Sequence, residues 1–216
     1  MPAPASRYSA LLLVGPTGAG KTPLGELLEA EGLWGRRCLH FDFGTNLRRS
    51  AAGEGPAGVV TREEHPFLAW VLQTGALLED EQFPIARKVL LGFLASRGAD
   101  AQTLVVMNGL PRHVGQAEAL EPILAMEAVV HLACEAEVVL ERIRTNAGGD
   151  RAGRGDDRLE DIRRRIGIFR QRTAPLLDYY HARQVRILTI AVGVDTTTSE
   201  IRKRLEMERP DVARNR

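Results

Sequence analysis

The 216-residue sequence predicts an α/β fold, a parallel five-stranded sheet with helices on both faces. Three observations predict it. Five apolar runs of strand length, at 10–14, 38–41, 103–107, 128–133 and 185–190, read as continuous rather than alternating, as strands do when both faces of their sheet are covered. Stretches of helical spacing separate them, so strand and helix alternate along the chain. A hydrophobic content of 44% over this length supports one sizeable core, hence a single domain over 1–216 with small insertions.

The first strand, 10–14, runs directly into "GPTGAGKT" at 15–22. Gly15, Gly20, Lys21 and Thr22 satisfy G-x-x-x-x-G-K-[ST], and the strand before and helix after supply the context this phosphate-binding P-loop requires. Glycines let the backbone close around an anion with its N–H groups pointing inward. The helix that follows, 21–31, adds unpaired N–H groups and a partial positive charge at its start. Pro23 falls in the first helical turn, where its missing N–H costs little. With only three lysines in the chain, a chance match is disfavoured. The sheet is therefore expected to be of the P-loop NTPase type. Gly15, Pro16, Thr17, Gly18, Ala19, Gly20, Lys21 and Thr22 would hold the nucleotide phosphates, with Lys21 on the terminal ones and the Thr22 hydroxyl on Mg²⁺.

In such a sheet ligands sit beyond the carboxyl ends of the strands. The second strand is followed by "DFGTNLRR" and the third by "NGLPRHVGQAEAL". Each delivers an arginine, Arg48 and Arg112, toward the P-loop face, where paired guanidinium groups suit a second phosphate. Asp42, at the end of the second strand, fits equally a base, a Mg²⁺ ligand or a strand-end cap. Further helices are expected at 67–73, 81–96, 114–124, 136–145 and 157–181, and at 200–208 behind the capping box "TTSE". Two glycine-rich segments, 52–64 and 146–157, are too long for tight connections and are expected to be mobile. The second carries Arg151 and Arg154, and closing an arginine-bearing loop excludes water from a transferring phosphoryl group.

Composition narrows the partners. A formal net charge of +1 gives no reason to expect nucleic acid or a membrane surface. Cys38 and Cys134 fit neither a disulfide framework nor a zinc knuckle and read as free thiols of a reducing cytosol. No 18-residue apolar segment occurs, and the five histidines lack metal spacing. A cytoplasmic monomer with small-molecule nucleotide partners is expected.

In the content and order of these motifs the sequence resembles the nucleoside monophosphate kinases, most closely the short-lid adenylate kinases, over nearly its whole length. "GPTGAGKT" matches the ATP-side loop, "FGTNLRR" looks like T-G-D-L-L-R, and "GALLEDE" resembles the segment lining the acceptor base. "NGLPRHVGQAEAL" matches D-G-F-P-R-x-x-x-Q-A-E-x-L. "GRGDD" is similar to the lid motif, and "RRRIGIFRQRTAPLLDYY" to the helix after it. The resemblance implies transfer of the γ-phosphoryl of ATP to AMP with Mg²⁺, giving two ADP. It places Arg48 and Arg112 on the acceptor phosphate, Gln116 on the adenine edge, and Arg154 and Arg165 on the phosphates in flight. It also implies an acceptor-binding insertion at about 44–80 and a short lid at about 146–157. The chain departs from the pattern at Asn108, where the family has a Mg²⁺-holding aspartate, and at Phe43, where it has a threonine near the base. Asn108 would still reach a metal-bound water, with Asp42 nearby to help. Two other readings compete: a P-loop kinase of a small hydroxyl-bearing metabolite using Asp42, and a nucleotide-binding protein weakened catalytically by Asn108.

Overall fold

The computed structural model describes residues 7–55, 59–74, 77–147 and 159–209. β1 (Tyr8–Val14), β2 (Cys38–Asp42), β3 (Leu104–Asn108), β4 (Leu124–Ala133) and β5 (Arg186–Ala191) form one sheet in the order β2-β3-β1-β4-β5. All pairings are parallel. The helices are α1 (Lys21–Glu31), α2 (Phe43–Ala51), α3 (His65–Thr74), α4 (Phe83–Ser96), α5 (Val114–Leu120), α6 (Ala136–Arg144), α7 (Leu159–Ile168), α8 (Pro175–Ala182) and α9 (Thr198–Met207).

Alternation along the strands sorts the helices onto two faces. Leu11 and Leu13 of β1, with Val106 and Val130, pack against Leu24 and Leu28 of α1 and Ile201 and Leu205 of α9. Ala10, Leu12 and Val14, with Met107 and Val129, pack against Leu47, Leu68, Leu90, Leu120 and Leu176 from α2, α3, α4, α5 and α8. A smaller cluster joins Val139 and Ile143 of α6 to Ile162 and Ile166 of α7. The chain leaves β1 for β2 on one side of the sheet, while β4 and β5 lie on the other. The carboxyl end of β1 is therefore the switch point where a crevice opens, and residues 15–22 occupy it.

Departures from the sequence reading have local causes. The helix expected at 114–124 stops at Leu120: Pro122 has no N–H to return to the preceding turn, and the chain closes with shorter turns, Glu121 N–H to Glu118 O at 3.2 Å and Ile123 N–H to Leu120 O at 2.9 Å. β4 then begins at Leu124, its start masked in the sequence by Glu127, whose carboxylate pairs with Arg36 at 2.8 Å. α2 was not expected; Asp42 caps it, accepting from the Thr45 N–H at 2.7 Å. The single helix expected at 157–181 is divided. Pro175 has no N–H to return to the preceding turn, and Phe169–Thr173 widens into a π-turn in which the Ala174 N–H reaches Phe169 O at 2.8 Å. The capping box at Thr197 and Glu200 forms as expected. Of the two segments expected to be mobile, residues 56–58 and everything from 148 to 157 lie outside the described residues. Among the described residues no helix is long and apolar enough to cross a membrane.

Candidate active site

Gly20 closes the P-loop at φ 92°, a left-handed conformation that favours glycine. As N-cap of α1 it offers no side chain to the first-turn N–H groups, which stay available to an anion. At Gly15 a Cβ would stand 2.9 Å from the Leu132 carbonyl, so the loop leaves β1 pressed against β4. Lys21 Nζ donates to the carbonyls of Gly15 and Pro16, each at 2.7 Å, which holds its ammonium across the loop. Gly15, Thr17, Gly18, Gly20, Lys21 and Thr22 line a cleft of about 300 Å³. Pro16 and Ala19 do not line it. Ala19 is packed in the core and its N–H goes to Pro16 O at 3.3 Å, so these two shape the loop from behind.

Across the cleft stand Arg48 from α2, Arg112 from the turn after β3, and Arg165 from α7. A cis Leu110–Pro111 peptide leads into Arg112. The Arg112 guanidinium makes no hydrogen bond or ion pair among the described residues; burial, and then the positive charge of Arg165, push its pKa below the ordinary arginine value. Arg48 donates to the Thr45 hydroxyl at 3.1 Å. Lys21 and three arginines thus face one lined space in which Asp42 is the single carboxylate among the described residues. A buried guanidinium such as that of Arg112, with no partner among the described residues and further cations around the same space, calls for an anion.

Asp42 itself is occupied. Its Oδ2 accepts from the Thr22 hydroxyl at 3.0 Å and from Asn108 Nδ2 at 2.8 Å, while Oδ1 caps α2. Thr22, Asp42 and Asn108, all expected near Mg²⁺, therefore meet at one point.

The rest of the cleft is mostly apolar: Phe43, Leu47, Val71, Leu72, Leu78 and Phe169. The Phe43 ring lies 6.1 Å from that of Phe41 at 38°. Gln116 borders this part and is well held: Oε1 accepts from the Arg112 N–H and Nε2 donates to Leu78 O, both at 2.7 Å. One amide hydrogen and part of the oxygen remain for a ligand. His113 Nδ1 accepts from the Gln116 N–H, so Nε2 carries the proton that reaches Leu78 O at 3.1 Å. Arg154 lies outside the described residues.

Two residues escaped the sequence reading. Arg142, buried on α6, holds the Gly18 carbonyl at 3.1 Å. Its position between Val139 and Ile143 on the apolar face of α6 was the available signal. Thr173 donates to Arg112 O at 3.0 Å and ties the π-turn to the arginine-bearing turn.

Comparison with known proteins decides the family. The chain is 36% identical over 202 residues to an adenylate kinase of Synechococcus sp. (strain WH7803), covering 91% of this chain and 96% of that one. It is 33% identical over 201 residues to an adenylate kinase of Parvibaculum lavamentivorans, covering 88% and 89%. The chain belongs to the adenylate kinase family. An adenylate kinase of Xanthomonas campestris pv. campestris (strain B100) is 32% identical over 203 residues, covering 90% of this chain and 96% of that one. No protein-family model matches the chain. As a member of the adenylate kinase family the protein is a phosphotransferase, and its cleft pairs a P-loop with an arginine-lined wall.

Proposed function

We propose that the protein transfers the γ-phosphoryl group of ATP, taken as its Mg²⁺ complex, to AMP, giving two ADP. The observation that carries this reading is the Arg112 guanidinium, without a partner among the described residues and beside Arg165 in the cleft that also holds the P-loop. A phosphate acceptor is already ionised at neutral pH and needs no general base. What remains is positioning and charge neutralisation, for which the site supplies cations. The occupied state of both Asp42 oxygens argues against a base directed at a hydroxyl acceptor.

In this reading the backbone of 15–20 and Lys21 hold the donor phosphates. Arg48 and Arg112 hold the acceptor phosphate, and Arg165, with Arg154 from the lid, meets the phosphoryl group in flight. Thr22, Asp42 and Asn108 form the oxygen set for Mg²⁺, which neutralises phosphate charge when bound. Their donors fit a cation that keeps most of its waters and comes with its nucleotide. The apolar wall takes the acceptor base, and the remaining amide capacity of Gln116 reads an adenine edge, with Phe43 setting how tightly. Residues at about 44–80 act as the acceptor-binding insertion and 146–157 as the lid. A monomer in the cytoplasm is the form supported by the small-molecule substrates and two free cysteines.

The test is ADP release with ATP, Mg²⁺ and a panel of AMP, CMP, UMP, GMP and dTMP. Fastest turnover with AMP supports the proposal. Tight ATP binding with no turnover of any of them refutes it.

A further inference from the structure

Asp42 and Asn108 are paired in register across the β2–β3 ladder, at the carboxyl ends of both strands. Asn108 Nδ2 lies 2.8 Å from Asp42 Oδ2 and 3.1 Å from the Thr22 hydroxyl. A carboxylate only accepts hydrogen bonds, so the amide nitrogen must be the end that faces Asp42. The amide oxygen is thereby turned away. Asn108 is only 5% exposed, it borders the cleft, and among the described residues its amide oxygen accepts no hydrogen bond. Buried polar atoms are normally satisfied. Asp42, Thr22 and Asn108 border one cleft, with the unfilled neutral acceptor on the far side of the Asn108 amide from the other two.

We propose that Asp42 and Asn108 share, across two neighbouring strands, the holding of the hydrated Mg²⁺ that arrives with the donor nucleotide. Asp42 brings the negative charge from β2. Asn108 brings a neutral oxygen from β3 and, through its amide nitrogen, keeps the Asp42 carboxylate turned toward Thr22. This rests on the MgATP reading above and deepens it by giving each residue a separate task. Mg²⁺ needs only one or two carboxylates when phosphates complete its shell, so one charge in this pair suffices. A second is harmful. Asn108→Asp removes the amide donor and sets two like charges at hydrogen-bond distance, where they repel. The geometry therefore predicts that Asn108→Asp raises the Mg²⁺ requirement rather than easing it.

The test is calorimetric titration of a non-hydrolysable ATP analogue into the protein, with Mg²⁺ and with EDTA, which reads metal-linked affinity without turnover. In the unaltered protein Mg²⁺ should strengthen binding about tenfold or more. Asp42→Asn should bring that ratio close to one while leaving metal-free affinity equal or higher, because a negative charge near the phosphates is gone. Its amide oxygen can still cap Thr45; should that variant fail to fold, Asp42→Ser keeps a capping oxygen and serves the same purpose. Asn108→Asp should lower the ratio at least several-fold, and the exchange Asp42→Asn with Asn108→Asp should restore it to within a few-fold of the unaltered protein. An undiminished ratio in Asp42→Asn, or an exchange no better than that single variant, overturns the proposal. Either result with AMP turnover intact in the unaltered protein leaves the kinase reading standing, whereas absence of turnover there removes the kinase reading itself.

Discussion

Arg142 Nε donates to the Gly18 carbonyl at 3.1 Å across 124 residues of sequence, and Nη1 of the same guanidinium reaches the carbonyls of Gly193 and Val194 at 2.8 Å and Thr196 at 3.1 Å. A buried cation on α6 thus fastens the P-loop to the loop between β5 and α9. Arg142→Ala strips the donor from several carbonyls at once, and the expected loss of stability is about 3 kcal/mol. Arg142→Lys should recover only part of it, because a compact ammonium cannot reproduce a planar fork. Denaturant unfolding measures both; equal stability of the alanine variant contradicts the fastening role.

Lys21 contacts loop carbonyls that would yield to phosphate oxygens. Lys21→Met should therefore leave the unfolding midpoint nearly unchanged and reduce kcat/KM on the order of a hundredfold or more, the scale of losing one preorganised charge contact. Activity within a few-fold of the unaltered protein would remove the P-loop from the account.

The arginines should divide by when they meet charge. On the proposed reading Arg48 and Arg112 would contact the acceptor in ground and transition states alike, so alanine at either should chiefly raise the KM for AMP. On the same reading Arg165 and Arg154 would meet charge developing during transfer, and alanine there should chiefly lower kcat, by about a thousandfold. Steady-state kinetics with varied AMP separates the classes; a pure KM effect at Arg165 reverses its assignment.

Cys38 is buried in β2, and burial pushes its thiol pKa up to about 11. The reactive thiolate is accordingly scarce at neutral pH. Thiol titration at pH 7 should leave Cys38 unmodified in the native protein and label it only on unfolding. Rapid native labelling at Cys38 would contradict the packing of β2 against α1.

Much of this was legible in the sequence because it rests on local chemistry. The continuous apolar strands at 10–14 and 103–107 need no tertiary information, and the P-loop carries its glycines, lysine and threonine within eight positions of the chain, 15–22. What was missed is partly local, in a cap and a proline, and partly set by distant partners. α2 begins with a glycine-bearing turn, weakly helical by itself, and is secured by the Asp42 cap. The π-turn at Phe169–Thr173 answers Pro175, and its functional contact to Arg112 joins residues 61 apart in sequence. Arg142 looked like one more arginine in a chain with few lysines; only packing shows that it is buried. That Asp42, Thr22 and Asn108 share hydrogen bonds depends on β2 and β3 lying side by side, which strand order alone settles.

The central claim is that the second phosphate site takes a nucleotide, and running the reaction backward tests it most directly. The protein is incubated with Mg²⁺ and ADP as the only nucleotide, and ³¹P NMR follows the products. An enzyme that makes two ADP from ATP and AMP must also make ATP and AMP from ADP, so both should appear in equal amounts until equilibrium is reached. Lys21→Met should slow their appearance on the order of a hundredfold or more. ADP left unchanged by the folded, nucleotide-binding protein would contradict the account.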